Sequence, residues 1–354
     1  MSLDDLRAKI DEIDHRLVAL LNERAEIARE IGRLKSQMGH TIIDPAREQA
    51  VLDRVAAANR GPLSQEALQS IYTAIISASR ALQHRPRVAY LGPEATFSHQ
   101  AALGRFGPAV DYVPARTIPE IFLLTEKGQA DFGVVPVENS TEGMVSHTLD
   151  SFVDSDLKVC AEISLPITQN LLSRSPLAEI KRIYSHPQAI AQTRSWVSAH
   201  LPMVEIIEVT STARAAEMAA QEKAAAAIAT ELAASVYGLD IVAPRIEDNP
   251  FNITRFLVIG PTMGTRTGHD KTALLLSVKH EVGALHTALG TLQRHGLNMT
   301  KIESRPARQR PWEYLFFVDI LGHPDDEPVA IALRELSDVC VFLKVLGAWP
   351  IEAR

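Results

Sequence analysis

The chain has 354 residues, which is enough for two or three domains, and its 46% hydrophobic and 22% charged residues are ordinary for a soluble globular protein. The formal net charge of −7 gives no indication of a nucleic-acid partner. Two cysteines make neither a disulfide framework nor a metal cluster, which fits a reducing cytosol, and we expect neither a signal peptide nor a membrane span.

Residues 1–84 predict three helices. The first has apolar residues at spacings of three and four, namely Leu3, Leu6, Ile10, Ile13, Leu17, Leu20, Ile27, Ile31 and Leu34. Such a helix is about 50 Å long, which is too long for an 84-residue globule to cover, so we expect a dimer. A second helix is predicted to begin at Pro45, after Asp44 as its cap, and a third near Ser64.

Cations interrupt the apolar row of the first helix. Arg24 occupies the row itself, and Arg7 and Lys35 flank the same stripe. A cation between packed helices costs several kcal/mol unless an anion compensates it. A register device paired with a glutamate of the partner chain is one explanation. The polar residues of the other two helices favour a polar cavity for a small dianion; they are Asp44, Arg47, Glu48, Ser79 and Gln83.

After a short linker at residues 84–86, strands and helices alternate up to about residue 261. The predicted strands are RVAYLG, ADFGVVPVEN, LKVCAEISL, RIYSHP, VEIIEVT, AAAAIAT and RFLVIG. This order predicts an α/β domain with open, largely parallel sheets, arranged as one sheet or as two lobes with a cleft.

Five polar loops lie at the ends of these strands. Four of them follow a predicted strand and precede a helix: GPEATFSHQ (92–100), ENSTEG (138–143), SHPQA (185–189) and TSTARAAE (210–217). The fifth, NPFNITRF (249–256), leads into a strand. A serine or threonine before a helix is commonly only a cap. Four loops at equivalent positions nevertheless predict one cleft for a small polyanion, because helix starts offer free backbone N–H groups.

Residues 271–350 predict the order strand, helix, strand, strand, helix, strand, which is the ferredoxin-like βαββαβ plan. Two short motifs stand out in this region. GALH (283–286) begins the first helix, and ESRP (303–306) ends the second strand.

The motifs resemble three known families. Residues 3–83 resemble an all-helical chorismate mutase, residues 87–261 resemble prephenate dehydratase through ENSTEG, SHPQA and NITRF, and residues 271–350 resemble an ACT regulatory domain through GALH and ESRP. The resemblance implies a multidomain chain with an all-α mutase domain (1–84) in an intertwined dimer, a two-lobed α/β dehydratase domain (87–261) and a ferredoxin-like ACT domain (271–350).

The resemblance to chorismate mutase implies the rearrangement of chorismate to prephenate, a reaction that needs no nucleophile, metal or cofactor. The implied site residues are Arg7 from the other subunit with Arg24 and Arg47 on the carboxylates, Lys35 and Gln83 on the ether oxygen, Asp44 and Glu48 on the ring hydroxyl, and Ser79 on a carboxylate.

The resemblance to prephenate dehydratase implies loss of carbon dioxide and of the ring hydroxyl, leaving phenylpyruvate. Thr254 is the implied essential hydroxyl, as proton donor to the leaving group or as its orienter. Arg255 would bind a carboxylate or form an inter-strand ion pair. Ala95 stands where many relatives have glycine, which predicts a backbone that does not need a glycine-only conformation. Further implied substrate contacts are Asn139, Ser140, Thr141, Ser185, Gln188, Ser211 and Thr212.

The resemblance to an ACT domain implies feedback inhibition by L-phenylalanine, at sites that two subunits would share, because ACT domains usually pair. The implied effector residues are Gly283, Ala284, Leu285, Asn298, Glu303, Ser304, Arg305 and Pro306. A dimer is expected and a tetramer stays open. Three alternatives also stay open: a helical region that only dimerises a monofunctional dehydratase, a non-catalytic solute-binding sensor with an ACT domain, and arogenate as the substrate.

Overall fold

The computed structural model describes residues 2–37, 45–83, 85–306 and 314–351. The chain divides into two compact units. The first comprises the residues up to Arg87 together with Leu103–Asp111, and the second comprises Val88–Ala102 and the chain from Tyr112 onward. None of the described helices combines the length and the apolarity that crossing a membrane requires.

The first unit contains three helices, as the sequence predicts. They are α1 (Leu3–Gln37), α2 (Pro45–Ala58) and α3 (Gln65–Ala81). Ser64 caps α3 by accepting a hydrogen bond from the backbone N–H of Ala67. The 35 residues of α1 form one uninterrupted helix, so the apolar row lies along a single face.

A segment from the following region completes the first unit. It includes the end of α4 (Phe97–Phe106). Arg80 donates a hydrogen bond to the carbonyl of Phe106, and the backbone N–H of Ala109 donates to the hydroxyl of Ser77. A Cβ on Gly107, which has a φ of +76°, would lie 2.7 Å from the Cβ of Ser77. The close approach therefore requires glycine at this position.

Strands and helices then alternate to Gly260. Their bounds are β1 (Arg87–Leu91), β2 (Asp111–Ala115), α5 (Ile118–Glu126), β3 (Phe132–Asn139), β4 (Gly143–Met144), α6 (Ser146–Asp154), β5 (Lys158–Pro166), β6 (Asn170–Ser173), β7 (Arg182–Ser185), α7 (Pro187–Gln192), α8 (Arg194–His200), β8 (Glu205–Glu208), α9 (Thr212–Gln221), β9 (Ala225–Ala229), α10 (Glu231–Tyr237), β10 (Asp240–Ala243) and β11 (Ile253–Gly260). All seven predicted strands are present, while β2, β4, β6 and β10 were not predicted.

These strands form two lobes, which is one of the two arrangements that the sequence predicts. One lobe contains a five-stranded sheet in the order β10-β6-β9-β7-β8. The sheets are more mixed than the predicted largely parallel arrangement: β11 is antiparallel to both β3 and β5, and β6 is antiparallel to β9 and β10. The reason is that β11 carries the chain back from the second lobe and so runs against the strands that it joins.

The C-terminal region has the predicted βαββαβ order. Its elements are β12 (Asp270–Val278), α11 (Ala284–Arg294), β13 (Met299–Pro306), β14 (Tyr314–Leu321), α12 (Glu327–Val339) and β15 (Cys340–Pro350). The strand order is β13-β14-β12-β15. Leu274 and Leu276 belong to the core beside the two helices, whereas Leu275 and Phe317 point to the opposite face.

One sheet passes through both the α/β region and the C-terminal region. β15 pairs with β5 at Gly347 and Val159, which gives the order β13-β14-β12-β15-β5-β11-β3-β1-β2 with β4 beside β3. Leu257 of β11 shares a buried core with Phe317 of β14 and with Trp349. The two halves of this sheet therefore face each other across a common apolar layer.

Candidate active sites

A cavity of about 500 Å³ lies in the second unit and is lined by residues from all five polar loops. Its polar lining residues are Thr96, Ser98, Asn139, Glu142, Gln169, His186, Gln188, Gln192, Thr210, Ser211, Thr212 and Thr254. Lysine and arginine are missing from the described lining, so a dianion in this cavity would be held by neutral donors.

Helix starts supply such donors. Four helices begin at this cavity, since Phe97, Val145, Gln188 and Thr212 of its lining lie at the starts of α4, α6, α7 and α9. The first N–H groups of a helix lack intrahelical partners and carry partial positive charge. The arrangement therefore suits the carboxylates of a small dianion.

Thr254 and Asn139 form the polar pair on the sheet side of the cavity. They lie opposite each other on β11 and β3, and the amide Nδ2 of Asn139 donates to the hydroxyl of Thr254 at 2.8 Å. The same Nδ2 donates to Oδ1 of Asn252, also at 2.8 Å. Thr254 and Asn252, the two partners of this amide, are both buried.

A β-bulge aims Asn139 at the cavity. Thr254 pairs with Asn139 and Arg255 with Glu138, but the next residue, Phe256, pairs with Pro136, so Val137 is the extra residue. In a regular strand of the same sequence without the bulge, Asn139 would share the core face of Val137 and Val135, because strand side chains alternate. The bulge turns Asn139 to the cavity and leaves Glu138 on the opposite face.

The direction of the Thr254 proton follows from these bonds. Oδ1 of Asn139 accepts from the backbone N–H groups of Thr141 and Glu142, which can only donate. The amide orientation is thereby fixed, and its nitrogen must face Thr254. Since Thr254 accepts from Asn139, its own O–H does not point at that amide and is available to another acceptor, and Thr254 lines the cavity.

Some of the predicted contact residues line the cavity, and others hold the surrounding loops in place. Gln188, Ser211 and Thr212 line it, whereas the buried hydroxyl of Ser185 donates to the carbonyl of Ile228. Ser140 ties its loop to the segment before β11, donating to the carbonyl of Phe251. Thr141 contributes its backbone N–H to Asn139. Sequence reasoning missed Asn252 and the pair Gln169–Gln192, although Asn252 lies within the quoted loop NPFNITRF.

Arg255 lies on the face of β11 opposite to Thr254, where three carboxylates surround its guanidinium. Nη1 is 2.7 Å from Glu138, Nε is 2.8 Å from Glu162 and Nη2 is 3.4 Å from Asp319. Burial opposes ionisation of Glu138 and Glu162. Each carboxylate also interacts with Arg255 and with one lysine, and these interactions outweigh burial, so the pKa of both groups is lowered. Of the two roles considered for Arg255, this geometry is that of an inter-strand ion pair.

Ala95 has a backbone conformation that glycine favours but that an L-residue can also adopt at a cost. Its φ is +65°, which is the left-handed region that glycine favours. Two hydrogen bonds hold this conformation: the N–H of Ala95 donates to Nδ1 of His99, and its carbonyl accepts from Thr230. Tertiary contacts therefore impose the backbone shape that the side chain alone argued against.

The first unit brings Arg24, Ser79 and Gln83 together. Nη1 of Arg24 donates to the hydroxyl of Ser79 at 2.6 Å, and Gln83 donates to the carbonyl of Ala28. A Cβ on Gly32 would lie 2.5 Å from the side chain of Gln83, so glycine at this position leaves room for that side chain against α1. Among the described residues, the hydrogen-bond partner of the Arg24 guanidinium is a neutral hydroxyl, which leaves its charge for an anion.

The other predicted mutase residues are placed differently. Glu48 lies 3.2 Å from Arg80 and 3.5 Å from Arg105, and these side chains are largely buried. Lys35 is half-buried near the end of α1, and Arg47 is exposed on α2. Arg7 is exposed and 3.4 Å from Asp4. Asp44 lies outside the described residues.

A second cavity, of about 250 Å³, lies in the C-terminal region. Gly283, Ala284 and Leu285 line it at the start of α11, together with Tyr314 and Phe316 of β14. Ser304 lies opposite Phe316 on the neighbouring strand.

The remaining predicted effector residues are Asn298, Glu303, Arg305 and Pro306. Glu303 and Arg305 alternate with Ser304 along β13 and so point to the other face of the strand. The carbonyl of Asn298 accepts from the N–H of Leu321, and Pro306 lies opposite Tyr314.

The two-lobed fold, the dianion cavity and the attached βαββαβ region define an α/β lyase with an amino-acid-sensing domain, preceded by a helical unit. Family models match in the same order: chorismate mutase type II over residues 6–84, prephenate dehydratase over 88–263 and the ACT domain over 272–338. The bifunctional chorismate mutase/prephenate dehydratase of Aquifex aeolicus is 48% identical over 353 residues, covering 98% of each chain. That of Stutzerimonas stutzeri is 43% identical over 355 residues, covering 98% of this chain and 97% of its own.

The chain belongs to the family of bifunctional chorismate mutase/prephenate dehydratases. It is therefore an isomerase and a lyase of aromatic amino acid biosynthesis, as the sequence motifs predicted.

Solved structures cover the part after the helical unit. Prephenate dehydratase from Arthrobacter aurescens in complex with L-Phe has a TM-score of 0.69 at 34% identity, over 75% of this chain and 90% of that one. A protein described as a novel type of quorum quenching acylase has a TM-score of 0.68 at 31% identity, over 75% of this chain and 97% of that one.

Proposed function

We propose that prephenate is dehydrated in the 500 Å³ cavity, with Thr254 donating its proton toward the leaving ring hydroxyl. The observation that carries this role is the bond from Asn139 to Thr254, which leaves the threonine O–H free to act on a ligand. The starts of α4, α6, α7 and α9 would hold the two carboxylates, and Gln188, Ser211 and Thr212 would orient them.

The chemistry requires little more than this arrangement. The bond between the ring and its carboxylate breaks, carbon dioxide leaves, and the electron pair enters the ring and expels the hydroxyl as water. One proton is consumed, and it reaches the hydroxyl through the hydrogen bond from Thr254. Because aromatisation drives the reaction, the enzyme has to orient the substrate and polarise the leaving group.

Chorismate is rearranged in the first unit, where Arg24 would clamp a carboxylate with Ser79 beside it. Lys35 and Gln83 would donate to the ether oxygen as negative charge develops there. Arg7 lies 17 residues before Arg24 on one continuous helix, which places the two about 26 Å apart. Arg7 of the same chain cannot reach that site, which favours a site completed by Arg7 from a second copy.

A homodimer is the assembly that such sharing requires. The nine apolar residues of the α1 row are between 46% and 63% exposed in the single chain. An exposed apolar stripe of this length is typical of a helix that packs against a partner. The α1 of a second copy offers the complementary stripe, and pairing through it would bring Arg7 to the other subunit's Arg24.

L-phenylalanine is the effector that the C-terminal cavity fits. The related enzyme from Arthrobacter aurescens was solved in complex with L-Phe. The backbone N–H groups at the start of α11 suit its carboxylate, and Leu285 and Phe316 offer an apolar surface for its ring. We place the enzyme in the cytosol, where its two cysteines would stay reduced.

One assay tests these assignments. Chorismate is supplied, and prephenate and phenylpyruvate are followed separately, with and without L-phenylalanine. Arg24→Ala should lower the mutase rate about 100-fold or more while sparing prephenate turnover, and Thr254→Ala should do the reverse. L-phenylalanine should slow only the second step of the wild type, and arogenate offered in place of prephenate should react poorly.

Loss of both activities in a folded single variant would rule out independent sites. Full dehydratase activity in Thr254→Ala would remove Thr254 from the mechanism, since no other hydroxyl in the proposal donates to the leaving group.

A further inference from the structure

Strand β13 holds the loop that carries Asn139 at both of its ends. This cavity loop comprises residues 138–146, from the end of β3 through β4 to the first residue of α6. Nζ of Lys301 lies 2.9 Å from Oε2 of Glu138, at the start of the loop. Arg305 donates to the hydroxyl of Ser146, at the end of the loop, and lies 3.2 Å from the carboxylate of Asp150.

Both cations point toward the cavity loop because they share one face of β13. Side chains at residues 301 and 305 are four apart on a strand and so project to the same side. They are only 14% and 24% exposed, whereas Ile302 and Ser304 between them are exposed. Cations this deeply buried need the partners that the loop and α6 supply.

The held end of the loop is adjacent to the reacting pair. Glu138 and Arg255 lie opposite each other on β3 and β11, and the next pair along is Asn139 and Thr254. Successive residues of a strand point to opposite faces, so the first pair meets the ACT domain while the second meets the substrate. A displacement of Glu138 would therefore move the amide that sets the proton direction of Thr254.

We propose that Lys301 and Arg305 of the ACT domain are positioning residues for the dehydratase reaction, which hold the cavity loop so that Asn139 keeps its bond to Thr254. The inference rests on the role proposed for Thr254. It assigns the ACT domain a part in the uninhibited reaction, beyond its part as an effector domain.

The test uses the full-length protein with Lys301→Met and Arg305→Met. Each should lower kcat for prephenate about tenfold or more and leave KM within about twofold, because misplacement of a catalytic group weakens transition-state contacts. Lys301→Arg should restore most of the rate, since it keeps a donor and a charge. Circular dichroism shows that each variant is folded, and unchanged mutase activity shows that the first unit is unaffected.

Lys271→Met is the matched control. Lys271 is buried to a similar degree in the same domain, and its Nζ lies 2.9 Å from Glu162 on β5 rather than from the cavity loop. Its kcat should stay within about twofold of wild type. A fall as large as that of Lys301→Met would overturn the proposal, because any broken ion pair of this interface would then have the same effect.

A double-mutant cycle isolates the route through Asn139. In an Asn139→Ala background, Lys301→Met should cause no further loss of kcat, because the bond that it protects is already gone. Fully additive losses, or a wild-type kcat in both Met variants, would refute the positioning role. A wild-type enzyme that fails to convert prephenate would instead refute the proposed function.

Discussion

The role proposed for Thr254 depends on the direction in which its hydroxyl proton points. Asn139 acts as a donor because two backbone N–H groups occupy its oxygen. An aspartate at residue 139 would have the same shape, but it would accept a hydrogen bond from Thr254 instead of donating one. Asn139→Asp should therefore lower kcat about 100-fold or more and should be less active than Asn139→Ala, as measured by steady-state turnover of prephenate.

Asn252→Asp provides the comparison for this effect. Oδ1 of Asn252 already accepts a hydrogen bond from Asn139. A carboxylate at residue 252 therefore keeps this bond and adds the same negative charge on the neighbouring side chain. Equal losses in the two variants would attribute the effect to charge near a dianion and contradict the assignment of proton direction.

Charge pairing beneath the active site gives the enzyme a predictable acid sensitivity. The pKa of Glu162 is lowered from its ordinary value of 4.5, since the bonds with Arg255 and Lys271 outweigh burial. A carboxyl group with a lowered pKa in the folded state adds stability above about pH 4.5, and this stability is lost as pH falls through the folded-state pKa. Asp319 has the opposite sign, because burial raises its pKa.

We therefore expect the urea midpoint of dehydratase unfolding to fall as the pH is lowered from about 5 to about 3, and to fall less steeply in Glu162→Gln. The measurement is a series of urea titrations followed by tryptophan fluorescence, to which Trp349, a hydrogen-bond donor to Glu162, contributes. An unchanged slope in Glu162→Gln would show that other carboxylates carry the acid sensitivity.

At the scale of elements, the junction of β15 with β5 depends on a missing side chain. A Cβ on Gly347 would lie 2.2 Å from the carbonyl oxygen of Val159, a backbone atom that cannot turn away. Gly347→Ala should lower the free energy of unfolding by about 1–3 kcal/mol, measured by chemical denaturation. Gly290→Ala, within α11 and free of such contacts, should be neutral or stabilising and serves as control.

The sequence predicts long, patterned elements well and local register poorly. The three helices, the seven predicted strands and the βαββαβ order follow from periodicity and caps. Strands β6 and β10 have only four residues, but length alone does not explain why the sequence misses them, because the predicted strands β7 and β8 are equally short. The bulge at Val137 leaves no composition signal, yet it decides which face Asn139 occupies. Long-range pairing of β15 with β5 is likewise invisible to local patterns.

The same contrast applies to the candidate sites. Motifs locate Thr254, Asn139 and Arg24 because polar residues there interrupt apolar patterns or end strands. They do not show that Arg255 turns to the opposite face, or that Glu48 meets Arg105 from the segment 103–111. Those contacts depend on how distant segments fold together.

At the scale of the whole molecule, the length of α1 separates Arg7 from Arg24, so the proposed mutase site needs residues from two copies of the chain. Each subunit of a two-fold dimer would then contribute Arg7 to one site and Arg24 to the other.

Arg7→Ala and Arg24→Ala should each abolish most mutase activity alone. In a hybrid dimer both defects fall in one site, so the other site is intact. Co-expression with two affinity tags, followed by sequential purification of the hybrid, should recover about half of the wild-type mutase rate per dimer. A hybrid as inactive as its parents would mean that Arg7 and Arg24 of the same chain act in one site. The 35-residue helix α1 would then have to bend sharply or break to bring the two side chains together.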